Sequence, residues 1–335
     1  MVNTLPTEEA RLVKQGNLEN TLTPSPLHDV ATTPRLTIIG AGAWGSALAT
    51  VANRNIHPVR LWSRRDGEPL SSAIANADVI LCAVSMKGVP SVIDQIKACN
   101  IPPEKIILTA TKGLDPKTTQ TPSQMWQAAF PNNPVAVLSG PNLSKEIEQG
   151  LPAATVVASE DEAAAEVVQS ILSSETFRVY INTDPLGTEL GGTLKNIMAI
   201  AAGVCDGLNL GTNAKAGLLT RALPEMIRIG THLGASAETF FGLSGLGDLL
   251  ATCNGTLSRN YRVGMGLAQG KDLETVLIEL QSTAEGVNTT RVLVDLARQQ
   301  EIPVPIARQV CRLLDGKITP LAAVQALMER ELKAE

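Results

Sequence analysis

The sequence predicts an α/β protein, a doubly wound and mostly parallel sheet followed by an all-α C-terminal part. Three observations carry this reading. A short apolar run, Leu36-Thr-Ile-Ile39, meets Gly40, Gly42 and Gly45 and then turns into a small-residue helix pattern. Strand-length and helix-length apolar segments alternate from Arg35 to about Asp184, the pattern of parallel strands joined by crossover helices. Past Asp184 strand signals stop, and helix-length apolar patterns run to the C-terminus.

Gly40-Ala-Gly-Ala-Trp-Gly45 is a G-x-G-x-x-G fingerprint in its required setting, strand before and helix after. Gly40 permits the tight turn, Gly42 lets backbone approach a pyrophosphate, and Gly45 lets the helix pack on the strand. The helix start offers free N–H groups and a positive dipole end to phosphates. The first half is therefore Rossmann-like. A glycine turn in some other α/β protein is the plainer alternative, and the flanking strand and Ala47–Thr50 weigh against it.

Composition sets outer limits. A chain of 335 residues suggests about two domains, and 44% hydrophobic with 18% charged residues fits a soluble globular protein. A net charge of −5 gives nucleic acid no global attraction, so any anion must be held by a local cluster. Cys82, Cys99, Cys205, Cys253 and Cys311 are odd in number and lack C-x-x-C spacing, which reads as reduced, mostly buried thiols in a cytoplasmic protein. His28, His57 and His232 share no metal-ligand spacing, so no metal is expected. No apolar run is long enough to span a bilayer, and the first residues carry acids without an apolar signal core.

In chain order, residues 1–34 read as a mobile, proline-punctuated extension, with a short amphipathic helix around Glu8–Lys14 as one option. Strands are expected at Leu36–Ile39, Val59–Trp62, Val79–Ala83, Ile106–Ala110, Val135–Leu138, Thr155–Ala158 and Phe177–Ile181. Helices are expected between them at Gly45–Arg54, Val89–Ala98 and Glu160–Leu172. The gap between Trp62 and Asp78 barely holds a crossover helix, so a short one near Ser71–Asn76 must serve. The boundary falls near Asp184, giving a dinucleotide-binding domain over 35–184 and an all-helical substrate and catalytic domain over 185–335. Helices are expected in the latter at Leu190–Gly203, Ala214–Leu233, Arg259–Gln269, Asp272–Leu280, Thr289–Gln299 and Pro305–Leu314.

The tip of a second Rossmann strand usually carries an acid for the ribose hydroxyl of NAD. Here it reads Leu61-Trp-Ser-Arg-Arg65, and the Arg64 and Arg65 forks suit a 2′-phosphate. NADP(H) is favoured over NAD(H) on this position, although Asp66 follows closely enough to reach a ribose, and a solvated loop of random charge is the plainer alternative.

Two stretches of the helical half carry chemistry. In Glu189-Leu-Gly-Gly-Thr-Leu-Lys-Asn196, helical spacing puts Thr188, Gly192, Lys195 and Ala199 on one face. A lysine among small and apolar neighbours has room for a ligand and loses pKa to desolvation, which suits proton transfer. Snorkelling to solvent is the alternative. In Phe241-Gly-Leu-Ser-Gly-Leu-Gly-Asp-Leu-Leu-Ala-Thr-Cys253, glycines make a flexible turn before a helix start, and Asp248 and Thr252 lie one turn apart. Ser258-Arg-Asn260 follows, with Arg259 a phosphate fork and Asn260 a donor beside it. Taken singly, Asp248 reads equally as a helix-start charge and Arg259 as a surface charge. The loops Thr109–Leu114, with Lys112, and Leu138–Asn142, with Ser144 and Lys145, sit where a doubly wound sheet binds ligands.

Together these pieces resemble bacterial-type, soluble NAD(P)-dependent glycerol-3-phosphate dehydrogenases. The matching motifs are Gly40–Gly45, Ala110-Thr-Lys-Gly-Leu114, Leu138-Ser-Gly-Pro141, Glu189–Asn196, Gly245-Leu-Gly-Asp-Leu249, Ser258-Arg-Asn260 and Glu285-Gly286, in the family's order from about Arg35 onward. The resemblance implies reversible reduction of dihydroxyacetone phosphate to sn-glycerol 3-phosphate, a supply for phospholipid synthesis. It implies Lys195 as the proton donor or acceptor, with Lys112 stabilising the developing oxyanion and Asp248 and Thr252 around the reacting centre. It places Gly140, Asn142, Asn196, Ser258, Arg259 and Asn260 against the substrate. Gly40, Gly42, Ala43, Trp44, Gly45, Arg64, Arg65, Lys112, Ser144, Arg259 and Glu285 fall on the cofactor. A homodimer is also implied. Ala43 replaces the usual serine, removing any hydroxyl contact there, and the segment after the second strand is shorter than the family's.

Two other classes fit the sequence less well. β-Hydroxyacid dehydrogenases and ketopantoate reductases place Asn four residues after their lysine, whereas here Asn196 follows directly and position 199 is Ala. A nucleotide sensor without turnover would lack the lysine or the phosphate fork, and both are present.

Overall fold

The computed structural model describes residues 33–329. The expectations for the N-terminal extension and for a helix at 8–14 therefore lie outside the described residues. Each of the seven expected strands forms: β1 (Leu36–Ile39), β2 (Val59–Trp62), β3 (Val79–Cys82), β4 (Ile106–Thr109), β5 (Val135–Ser139), β6 (Ala153–Ser159) and β7 (Phe177–Asn182). They build one sheet in the order β2-β1-β3-β4-β5-β6-β7. Pairing is parallel except between β5 and β6, where Val137 faces Ala158. β1, β3, β4 and β5 are buried throughout, as an apolar strand covered on both faces must be.

The helices between the strands are α1 (Ala43–Arg54), α2 (Leu70–Ile74), α3 (Val89–Lys97), α4 (Pro122–Ala129), α5 (Ser144–Glu148) and α6 (Glu162–Leu172). α1 starts two residues earlier than its apolar pattern suggested. The short α2 suffices because the Lys105 ammonium donates to the carbonyls of Ile74, Ala75 and Ala77 and closes its end. α4 and α5 form in addition to the helices the apolar pattern predicts. α4 opens on a capping box, with Thr121 accepting from Gln124 N and the Gln124 side chain accepting from Thr121 N.

From Pro185 onward the structure is helical: α7 (Pro185–Gly207), α8 (Gly211–His232), α9 (Asp248–Cys253), α10 (Arg259–Ala268), α11 (Leu273–Leu280), α12 (Glu285–Gln299), α13 (Pro305–Leu314) and α14 (Pro320–Met328). α14 was also not anticipated. α7 organises this half, with eighteen of its 23 residues buried. Its backbone touches α10 directly: a Cβ on Gly203 would stand 2.0 Å from the Tyr261 carbonyl oxygen, and one on Gly264 2.0 Å from that of Ile200. The glycine-rich segment before α9, expected as a flexible turn, is instead a π-helical turn over Leu243–Gly247. It is packed tightly, since a Cβ on Gly245 would stand 2.1 Å from the Phe240 carbonyl oxygen.

Candidate active site

The carboxyl ends of β4 and β5 meet the N-terminal half of α7. At β1 the glycine loop has the conformation a pyrophosphate requires. Gly40 takes φ +114°, a backbone state costly for a residue with a side chain. A Cβ on Gly45 would sit 1.9 Å from the Gly40 carbonyl oxygen, whereas one on Gly42 would meet nothing within 4 Å. Gly42 is the N-cap of α1 and supplies no side-chain cap, so the first N–H groups of the helix stay free for an anion. These features fit a dinucleotide. Ala43 is exposed at this turn, and Trp44 is half-buried against the sheet core. Beyond β2, Arg64 and Arg65 are exposed. The Asp66 carboxylate instead folds back onto Ser63, accepting from its N–H at 2.7 Å and its hydroxyl at 3.1 Å. The tip therefore presents guanidiniums while its acid is engaged within the turn.

Lys195 lies on α7, 7% exposed, and its Nζ donates to Asp248 Oδ1 at 2.8 Å and to Thr252 Oγ1 at 2.6 Å. Thr252 in turn donates to Asp248 Oδ1 at 3.1 Å. The second Asp248 oxygen takes the Lys112 ammonium. One carboxylate thus holds two ammoniums from opposite halves of the fold. Burial would push the Asp248 carboxyl up, but Lys112 and Lys195 hold it below the usual range. Burial pulls Lys195 down to about 8, with the Lys112 charge adding to the fall and Asp248 opposing it. The alternative in which Lys195 snorkels to solvent is thereby removed.

Lys112 is set by the β4 loop, whose Gly113 N–H donates to Thr193 Oγ1 on α7 at 3.0 Å. Its stem lies against Gly192, where a Cβ would stand 3.1 Å from Lys112 Cε. Gly140, at φ +153°, follows β5 and offers its carbonyl to Lys112 at 3.5 Å. Asn142 donates to Thr155 Oγ1 at 2.9 Å. Ser144 opens α5, half-buried. Asn196 is buried on α7 beside Lys195.

The Ser258-Arg-Asn260 stretch divides its labour. Ser258 caps α10 by accepting from Tyr261 N, and Asn260 Oδ1 accepts from Gly286 N at 3.0 Å, tying α10 to the start of α12. Arg259 remains exposed, with Nη1 donating to the Thr283 carbonyl at 3.0 Å. Glu285, the first residue of α12, accepts from Met86 N at 3.3 Å and so links the helical half to the loop after β3. Burial raises its carboxyl, while the Met86 N–H and the Arg259 charge oppose the rise. Thr193 lies inside the Glu189–Asn196 motif and Met86 outside every motif, and the sequence assigns neither a role of its own because each acts through the position of a neighbour.

The arrangement can protonate a developing oxyanion and bind an anionic ligand next to a dinucleotide. Comparison with known proteins agrees. The C-terminal model of NAD-dependent glycerol-3-phosphate dehydrogenase matches residues 184–325, and the N-terminal model matches 35–69 and 67–165. The chain is 65% identical over 304 residues to glycerol-3-phosphate dehydrogenase [NAD(P)+] of Synechocystis, covering 91% of this chain and 96% of that protein. It is 65% identical over 303 residues to that of Acaryochloris marina, covering 90% and 98%. The crystal structure of glycerol-3-phosphate dehydrogenase from Coxiella burnetii superposes with a TM-score of 0.85 at 35% identity, covering 89% of this chain and 99% of that one.

Proposed function

The chain belongs to the NAD-dependent glycerol-3-phosphate dehydrogenase family, and from that premise we propose how its own residues carry the reaction. The activity is the reversible NAD(P)H-dependent reduction of dihydroxyacetone phosphate to sn-glycerol 3-phosphate, a precursor for phospholipid synthesis. The observation that carries the residue roles is the buried Lys195–Asp248–Thr252 cluster with Lys112 on the same carboxylate.

A dinucleotide held by the glycine loop would supply the hydride that the ketone carbon takes up. As negative charge grows on the ketone oxygen, the Lys195 ammonium gives it a proton, and in the oxidative direction the neutral amine takes the proton back. An ammonium pulled down to about 8 is mostly charged at neutral pH yet still ready to release its proton. Thr252 donates its own proton to Asp248, so its oxygen accepts from Lys195 and aims Nζ. Lys112 brings a second positive charge to the oxyanion. Arg259, engaged through Nη1 alone, keeps donors for the substrate phosphate. Asn196, Asn260 and Ser258 shape that end, and Gly140 and Asn142 line the other.

The glycine loop, Trp44, Ser144 and Glu285 hold the dinucleotide, and the bare Arg64 and Arg65 forks favour a 2′-phosphate, hence NADPH over NADH. We divide the chain at Asp184 into a dinucleotide-binding part and a part that supplies the substrate and catalytic groups. The homodimer reading is supported by α8, whose buried residues run only from Ala222 to Gly230, so that its first half is mostly exposed in a single chain, with Leu218 and Leu219 only partly packed on the helical core. The free thiols at all five cysteines support a cytoplasmic location. No described helix is long and apolar enough to cross a membrane.

The test is loss of NADPH absorbance on addition of dihydroxyacetone phosphate, repeated with NADH. Substrate-dependent oxidation that is faster with NADPH is expected. Cofactor binding without substrate-dependent oxidation would make the protein a sensor.

A further inference from the structure

α7 carries a second carboxylate that joins groups from two other helices. Asp206 lies eleven residues, about three turns, beyond Lys195. Its Oδ2 accepts from the Lys215 ammonium on α8 at 2.6 Å and from the Tyr261 hydroxyl on α10 at 2.6 Å. The Lys215 ammonium also stands 5.5 Å from the centre of the Tyr261 ring, within the range at which a cation is attracted to a ring face. Burial, and then the Asp206 carboxylate, push the Tyr261 phenol up to about 12, so the hydroxyl stays protonated and donates. Burial would raise the Asp206 carboxyl, but the hydrogen bonds from Lys215 and Tyr261 hold it below the usual range.

Tyr261 follows the Arg259 fork by two residues. Helical spacing turns such positions to opposite sides, and here Arg259 is exposed while Tyr261 is buried. The Tyr261 N–H donates to Ser258 Oγ at 3.2 Å and fixes the start of α10, where Arg259 is the first residue and Asn260 the second. Close by, the backbones of α7 and α10 touch through Gly203 and Gly264. Contacts at glycine let two helices approach but carry no direction, because no side chain interlocks there. The bond from Tyr261 to Asp206 is directional, and the charge on its acceptor makes it stronger than a neutral one.

We propose that Tyr261 is a positioning residue for the reaction: its hydroxyl, held by Asp206 and Lys215, sets α10 against α7 and so aims the Arg259 guanidinium at the substrate phosphate. A single helix then governs both ends of the substrate, with Lys195 at the ketone and Asp206, through Tyr261, at the phosphate. A guanidinium fork needs its donors in line with the phosphate oxygens, and a displacement of about 1 Å is enough to forfeit much of that grip. The proposal rests on the assignment of Arg259 to the substrate phosphate given above and adds what aims it.

The test is a double-mutant cycle on the full chain, with Tyr261→Phe and Arg259→Ala made singly and together and KM for dihydroxyacetone phosphate measured in each. Tyr261→Phe keeps the ring and removes only the hydroxyl. Alone, it is expected to raise that KM about fivefold, with kcat and KM for NADPH within about twofold of the parent. In the Arg259→Ala background the same substitution is expected to change KM by less than about twofold, because the fork it aims is gone. Asp206→Ala, which removes the acceptor instead of the donor, should repeat both results. Equal losses from Tyr261→Phe in the two backgrounds would mark the residue as structural and overturn the proposal. A loss shared by KM for NADPH would overturn it too. If Arg259→Ala raised KM while Tyr261→Phe kept the parent value, the phosphate assignment would stand and this proposal alone would fall. If Arg259→Ala kept the parent KM, the assignment itself would fall, and the proposal with it.

Discussion

Lys195 Nζ stands 2.8 Å from Asp248 Oδ1, and the two side chains are 9% and 3% exposed. They are separated by fifty-three residues in the chain and are joined by α7 and α9 packing side by side. The same carboxylate faces Lys112 with its other oxygen, so three charges share a site largely closed to water. Interactions of this kind are strong because little solvent screens them.

The pH dependence should reverse with direction. Reduction needs Lys195 charged, so its kcat/KM should fall as pH rises through about 8, and oxidation of sn-glycerol 3-phosphate should rise through the same region. Lys195→Ala should lower kcat by about a thousandfold while cofactor binding by fluorescence titration stays near the parent value. Loss of cofactor binding would give Lys195 a structural role instead.

Asp248→Asn leaves two ammoniums facing each other without the carboxylate that balances them. Asp248 opposes the fall of the Lys195 pKa, so its removal should carry the limb for reduction at least one pH unit lower. Activity at neutral pH should drop about tenfold or more. A limb that stays near 8 would show that Asp248 does not tune the amine.

Arg259→Ala should raise KM for dihydroxyacetone phosphate at least about tenfold, with a smaller change in kcat, because a fork that grips a phosphate contributes mostly uniform binding. An unaltered KM would remove Arg259 from the phosphate.

Arg64→Ala should cost NADPH kcat/KM about tenfold and NADH little, since only one cofactor carries the 2′-phosphate. Equal losses would end the case for recognition at that position.

Much of this was readable beforehand, and what was missed has physical causes. β1 and β2 were legible to the residue, because short β-rich runs bounded by turn signals admit few other readings. α5 escaped because Ser-Lys-Glu-Ile-Glu carries no apolar stripe, and α14 because it is apolar on most sides and so shows no period. α4 was legible in principle, since Thr121-Pro-Ser-Gln124 is a capping-box signature. In the site, Lys195, Asp248 and Thr252 each stood out within a motif, but their mutual contact depends on how α7 and α9 pack.

Glu189 offers a stability test remote from the substrate. Its carboxylate accepts from Ser123 N and Ser123 Oγ at the start of α4, and burial pushes it up to about 7 against those hydrogen bonds. The folded protein therefore holds a proton there that the unfolded chain, at its ordinary 4.5, has lost. Stability from this group is full below 4.5 and declines as pH rises to 7, by about 3 kcal/mol. Glu189→Gln should flatten that slope in urea titrations at a series of pH values. An equally steep slope in the variant would place its source elsewhere.

The burial of α7 ties catalysis to the integrity of the whole molecule. The Lys195 amine rides on a rod that is buried along most of its length, so it has no local way to loosen. On heating, turnover and near-ultraviolet ellipticity should vanish together, without the interval of inactive but folded protein seen where an active site hangs on a peripheral loop. The enzyme should work until the core itself fails.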